Sequence, residues 1–475
     1  MVVNNLEPKD VFFWFGELSK IPRCSKNEER VSNFLLNFAK ERNLEHYQDH
    51  ENNIIIKKCA TKGLENKKTI ILQGHMDMVC EKRKGSSHDF LKDPLSLVEN
   101  DGWLSAKDTT LGGDDGIAVA YILALLDGDY SHPNIEALIT TQEELGMEGA
   151  QAVTSEHLSG QYLFNIDGEV EGEIFVGCAG GLNIYSNHKL VKTSSKLDKT
   201  YKIFVEHLTG GHSGQEIHKS RANALKIISR LLVNLSNEFE MLHFYGGSKH
   251  NAIPTHAEAV IRTDDNGLTE LKKRREVLIK EREISDCSME ISCQKIDNQE
   301  QEVWTQETTQ EILDGILCAP DGILYMHSQY YDIVEASISN GVLEEKEDSV
   351  QLVSLLRSSK KSLEVEQRYR YGKIMEKFGF EVFDNGGYPC WEYDPQSKLT
   401  PQVISVFKKM YQQEPQVKII HCGLECGILK QELKEVDMIT FGPDMQDVHT
   451  INERLNIESV GRTWEFLKEL LVSLD

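Results

Sequence analysis

The chain has 475 residues, too many for one ordinary domain and enough for two or three. Its formal net charge of −24 argues against nucleic-acid phosphates and anionic membranes as partners. No apolar run reaches the ~20 residues a membrane helix needs, and the region from Met1 to Phe15, broken by Glu7 and Asp10, is expected to carry no targeting signal. Ten cysteines show no regular framework. Cys422 and Cys426 read as core thiols rather than a metal clip, and a reducing cytoplasm is the expected compartment.

Glu7 to Leu18 and Lys26 to Arg42 read as amphipathic helices. The strand-like run Ile70-Ile71-Leu72 leads into Gly74-His75-Met76-Asp77-Met78. On a strand, residues i and i+2 share a face, so His75 and Asp77 project together. A metal-bound imidazole needs a partner to fix its orientation, and carboxylates commonly supply it. The bland alternative is a satisfied core histidine beside a capping aspartate. Thr109 to Gly116 is a glycine-rich bend carrying Asp114 and Asp115, ahead of the helical segment Ile117 to Leu126; aspartate is also a preferred helix cap. Strand-like Ile135 to Thr140 ends in Glu143-Glu144, and Tyr162 to Ile166 ends in Asp167-Gly168. Such acids at the ends of buried strands cost desolvation unless a cation or hydrogen bonds compensate them.

From about Tyr185 to Tyr393 the pattern changes. Tyr201 to His207, Met241 to Tyr245, Ala257 to Arg262 and Met289 to Lys295 read as strands, with helices at Ala222 to Leu235 and Leu268 to Arg282. That order, βαββαβ, is the ferredoxin-like unit. A second pass follows: helix Thr309 to Leu317, strands near Val334 to Leu343 and Val350 to Leu356, helix Ser362 to Phe378 and strand Phe380 to Asp384. After Tyr393 come helix Thr400 to Gln412, strand Val417 to His421, helix Leu424 to Leu429, strand Met438 to Phe441, and Asp447-Val448-His449 before a closing helix Ile457 to Leu471. The expected fold is α/β: a discontinuous catalytic domain (residues 1–184 and 394–475) with a mixed sheet and helices on both faces, and an inserted α+β lid (185–393) of two ferredoxin-like halves. Taken singly, each acid or histidine suits a surface. Their recurrence after successive strands points to one site beyond the carboxyl ends of a sheet.

These motifs resemble those of the co-catalytic zinc metallopeptidases that include carboxypeptidase G, peptidase T and carnosinase. The resemblance runs through the whole chain, including Gly172-Glu173-Ile174 to Gly181, Gly210-Gly211-His212-Ser213-Gly214, Asn251-Ala252-Ile253-Pro254 and His421 to Gly427, and is specific to the subfamily that cleaves Xaa-His dipeptides. The chain departs from it at Gly113 and Asp115, where relatives have Ala and Asn, and at Thr450-Ile451, where they have Ser-Pro. Neither change alters a ligand type.

The resemblance implies two divalent metal ions, zinc first and cobalt or manganese as alternatives, which hold a hydroxide and polarise the scissile carbonyl. Asp114 would bridge them, with His75 and Asp167 completing one and Glu144 and His449 the other. Glu143 would be the general base, Asp77 would orient His75, and lid residue His212 would stabilise the oxyanion. Asn251 would contact substrate, and the Gly423 to Gly427 loop its C-terminal end. Arg357 would pair with the substrate carboxylate or, equally, form a surface salt bridge. Asp115 reads as a solvated or capping acid. The expected partners are small peptides, with a homodimer admitted by the family pattern. A related amide hydrolase (a tripeptidase or N-acyl-amino-acid deacylase) and a catalytically silent peptide-binding protein are the competing readings; the silent one predicts loss of Glu143 or a ligand, and all are present.

Overall fold

The computed structural model describes residues 2–236, 238–328 and 333–475. The chain forms two compact units. The first contains residues 1–177, 393–419 and 424–475, and the second residues 178–392 and 420–423.

The first unit is built on an eight-stranded sheet. Its middle is a parallel run in the order Ile135–Thr140, Ile70–His75, Tyr162–Asn165 and Asp437–Thr440, with antiparallel neighbours outside it, so the sheet is mixed. Ile70–His75 and Ile135–Thr140 are buried at every residue, as a parallel strand covered on both faces must be. Helix Gly113–Asp127 is likewise buried nearly throughout and packs on Ile70–His75 and on helix Lys9–Leu18. Its apolar residues run all round rather than along one stripe, which is the composition of a central helix.

The second unit is a nine-stranded antiparallel sheet. Strands Thr200–Glu206, Phe239–Gly246, Ala257–Thr263 and Glu290–Ile296 take the spatial order fourth, first, third, second, with helices Ala224–Leu232 and Asp265–Glu281 in the connections. The other half repeats that order with Gly180–Lys189, Val334–Glu345, Ser349–Ser358 and Glu381–Tyr388, with helices Gln306–Cys318 and Lys361–Lys377. Both are therefore ferredoxin-like, and the first strand of the second half precedes the whole of the first half in sequence. This is why the chain enters the second unit at residue 178 and not near 185. Gly180–Lys189 pairs with Ser349–Ser358 along ten residues and so belongs to this sheet.

The cysteine pattern predicts no pairing, but Cys24 and Cys80 form a disulfide with a Cα–Cα distance of 5.7 Å. A bridge between Cys24 and Met78 lays the two segments side by side. Neither Cys422 nor Cys426 is in a disulfide; Cys426 is buried and Cys422 half-buried.

The glycine after Asp167 has a steric cause. Gly168 donates its N–H to Phe441 O at 3.2 Å, and a Cβ on Gly168 would lie 2.6 Å from Gly442 N. A Cβ on Gly442 would collide with Gly168 O. Gly442→Ala is therefore expected to force these two backbones apart and destabilise the protein by about 1–3 kcal/mol, read as a lowered denaturant midpoint.

Candidate metal centre

The four parallel strands end along one edge of the sheet, and the acids and histidines follow those ends. His75 is the last residue of Ile70–His75. Asp114 lies in the bend that opens helix Gly113–Asp127, where its own backbone is not helical. Glu143 and Glu144 open a short helix just after Ile135–Thr140. Asp167 follows Tyr162–Asn165, and His449, at φ 63°, sits in the loop beyond Asp437–Thr440.

The structure brings these residues together. His75 Nε2 is 3.0 Å from Asp114 Oδ1 and 3.7 Å from Asp167 Oδ1. His449 Nε2 is 2.9 Å from Asp114 Oδ2 and 2.9 Å from Glu144 Oε2. Each of the triads His75–Asp114–Asp167 and Asp114–Glu144–His449 gathers its donor atoms within 4.8 Å, and Asp114 is common to both. A third grouping, His75–Glu143–Glu144, meets the same distance.

The electrostatics fit a cationic occupant. Burial and the Asp114 charge push Glu144 up to about 7, and burial, with Asp114 again contributing, pushes Asp167 up to about 6. Burial tends to lower His75, but the surrounding carboxylates of Asp114, Asp167 and Asp77 outweigh it and hold the imidazole well above its ordinary value. Glu144 Oε1 is buried without a hydrogen-bond partner among the described residues. Carboxylates crowded in this way repel one another unless they share cations. The donor set of imidazole nitrogens and carboxylate oxygens suits divalent metal ions.

Residues that the sequence does not single out brace the segments that carry these side chains. Arg23 is buried and donates from Nη1 to Met76 O (3.0 Å) and Asp77 O (3.1 Å), and from Nη2 to Gly112 O (2.5 Å). Glu453, also buried, accepts from the backbone N–H groups of Leu111 (2.8 Å), Gly112 (3.1 Å), Gly113 (2.8 Å) and Asp114 (3.4 Å). Asp115 departs from its expected role as a solvated or capping acid: it is fully buried, and Oδ2 accepts from His75 N at 3.2 Å. The bend turns its side chain under the strand, and helix Gly113–Asp127 has no side-chain cap.

The second unit carries its own cluster. His212 pairs with Ala252 in a two-residue ladder, which places Asn251 beside it, and Ser213 N donates to Asn251 O at 2.9 Å. His212 Nδ1 accepts from Gly214 N (3.3 Å) and Gln215 N (3.1 Å). Burial and then Arg357 lower this histidine to about 4, leaving it neutral. Arg357 lies 3.3 Å from His212 Nε2 through Nη2 and donates from Nη1 to Tyr388 OH at 2.6 Å. It is buried, so it does not stand on the surface as a surface salt bridge would require. His421, two residues before Gly423, is buried and 2.7 Å from Ser337 Oγ. Burial, followed by the charge on Arg357, pushes it down to about 3. The sequence marks His421 only as part of a motif, and Tyr388 not at all.

A model of peptidase family M20/M25/M40 matches residues 71–473. The cytosol non-specific dipeptidase of Escherichia coli (strain K12) is 34% identical over 480 residues, covering 99% of this chain and 98% of its own. The crystal structure of aminoacylhistidine dipeptidase from Vibrio alginolyticus is similar with a TM-score of 0.90 and 31% identity, covering 100% of this chain and 98% of that one. Aminopeptidase PepT from Bacillus cereus shares the fold, at 15% identity and a TM-score of 0.57 over 98% of each chain.

Glu453→Ala is expected to leave the Asp114 bend without its buried acceptor and Arg23 without a nearby counter-charge. A loss of about 3–5 kcal/mol follows from the usual cost of stranding buried charged groups. Urea unfolding of chelator-treated protein measures it, and Glu453→Gln should lose less.

Proposed function

The chain belongs to peptidase family M20/M25/M40, and on that premise we propose that it hydrolyses dipeptides, Xaa-His peptides such as carnosine among them, at a centre of two metal ions. The observation that carries this reading is Asp114. Its oxygens lie 3.0 Å from one histidine Nε2 and 2.9 Å from another, so one carboxylate is placed to serve two ions. The substrate class is supported by the E. coli relative, a non-specific dipeptidase, and by the Vibrio relative, an aminoacylhistidine dipeptidase.

His75 and Asp167 are assigned to one ion and Glu144 and His449 to the other, with zinc the proposed metal. When bound, the ions polarise the scissile carbonyl and acidify the attacking water. Glu143 receives the proton of that water on its carboxylate and delivers it to the leaving amine nitrogen. Burial, with the charges of Asp167 and Glu144, raises Glu143 well above the usual carboxylate range. Asp77 orients His75. His212 offers its Nε2–H to the developing oxyanion, Asn251 and Gly423 contact the peptide, and Arg357 takes its terminal carboxylate. The E. coli relative's name supports a cytosolic location, and no helix among the described residues is long and apolar enough to cross a membrane.

Purified protein assayed against carnosine, Gly-Gly, a tripeptide and an N-acetyl amino acid tests the reading. Turnover of the dipeptides that a chelator abolishes supports it; turnover confined to the tripeptide or the N-acetyl compound overturns it. Glu143→Ala is expected to remove turnover by several orders of magnitude with metal content near wild type. Glu144→Ala should instead lose metal, as elemental analysis of the two variants will show.

His212→Ala should keep its metals and lose about 10²–10³ in kcat and kcat/KM together, the scale of other oxyanion donors. Steady-state kinetics checks this, and a wild-type kcat would remove His212 from the chemistry.

A further inference from the structure

The motif His421 to Gly427 is divided between the two units, with Leu424 onward in the first. Its Glu425 begins helix Glu425–Glu432 and is fully buried. No role given so far uses it. Glu425 Oε2 accepts from Gln73 Nε2 at 2.5 Å and from Thr140 Oγ1 at 2.7 Å. Gln73 Oε1 accepts from Asn165 Nδ2 at 2.6 Å, and Asn165 Oδ1 accepts from Thr440 Oγ1 at 2.7 Å. Thr440 Oγ1 in turn lies 3.6 Å from Cys426 Sγ, on the residue after Glu425. The polar chain leaves the helix at residue 425, crosses neighbouring parallel strands, and returns at residue 426. All of its members are 0% exposed.

The register gives this row its meaning. Gln73 stands opposite Asn165, Thr140 opposite His75, and Thr440 opposite Asn165. Gln73 is two residues before His75 and Asn165 two before Asp167. Since alternate residues share a face, Gln73 lies in the layer directly beneath His75. Glu425 Oε1 is buried with no hydrogen-bond partner among the described residues.

We propose that Glu425 is a positioning residue of the metal centre: its carboxylate sets the amides of Gln73 and Asn165, and through them seats His75 and Asp167. The proposal rests on the ligand assignment given above. Groups that support metal ligands in this way change metal affinity or activity by about 10- to 100-fold when removed.

The test is zinc binding by chelator-stripped protein, measured in competition with a chromogenic chelator, alongside kinetics and thermal unfolding of the stripped forms. Glu425→Ala is expected to bind one equivalent about 10- to 100-fold more weakly and the other as wild type does. Its kcat should fall while KM changes little. The weakened equivalent should be the one that Asp167→Ala loses, not the one that Glu144→Ala loses. Glu425→Gln keeps an acceptor oxygen for Gln73 and Thr140 and should recover most of the affinity. Gln73→Met cuts the same tie from the other side and should weaken the same equivalent, which carries the test if Glu425→Ala gives no soluble protein. Wild-type affinity for both equivalents in Glu425→Ala or Gln73→Met overturns the proposal. So does equal weakening of both equivalents with a lowered unfolding temperature and no rescue by Glu425→Gln, since that is a purely structural role. Wild-type protein binding fewer than two equivalents overturns the ligand assignment, and the proposal with it.

Discussion

The rest of the first unit depends on one constraint: carboxylates of Asp114, Glu144 and Asp167 are buried within reach of one another. A lone buried carboxylate adapts by taking up a proton or by finding donors. Three of them around two imidazoles cannot all do so, and burial with the Asp114 charge raises both Glu144 and Asp167. Divalent cations resolve it. The fold supplies the means of crowding, because neighbouring parallel strands deliver their following residues to one edge, which is where open α/β sheets bind ligands.

A site under such repulsion has to be held from outside. Arg23 ties carbonyls of the His75 strand's extension to Gly112, and Glu453 gathers the N–H groups of the Asp114 bend. These are contacts of opposite sense on the same loop: a cation on its carbonyls and an anion on its amides. Fixing both fixes the plane of the bend, and hence which Asp114 oxygen faces which histidine. Asp115 acts from the same bend on the backbone of His75.

Much of this is legible in the sequence where the periodicity is strong. Ile135–Thr140 is found at the bounds its apolar run predicts, and the ligand-type residues after each strand converge as their recurrence predicts. Three kinds of feature escape. Gly180–Lys189 begins with glycines and carries Asn183, Asn187 and His188, so its alternation is diluted, and its partner lies beyond an entire inserted half. The braces escape because they act across sequence distances that no local pattern encodes: Glu453 reaches back to Leu111, and Arg23 forward to Gly112. Asp115 escapes for the opposite reason. Beside Asp114 at a helix start it has the composition of a cap, and only the bend's backbone turns it inward.

Asp77 shows how one buried carboxylate is committed to several neighbours at once. Oδ1 lies 3.3 Å from His75 Nδ1 and accepts from Glu143 N at 3.1 Å. Oδ2 accepts from Ser25 Oγ at 2.8 Å and from Glu144 N at 3.4 Å. The N–H groups of Glu143 and Glu144 and the Ser25 hydroxyl all donate, and they occupy both oxygens. An asparagine of the same shape would turn its amide group toward one pair of donors and lose that side altogether. The carboxylate therefore does two things that an amide cannot do at once. It lies against His75 Nδ1, the ring nitrogen away from Asp114, and it holds the backbone turn on which Glu143 and Glu144 stand. At that turn a single anion grips the N–H of each of the neighbouring glutamates.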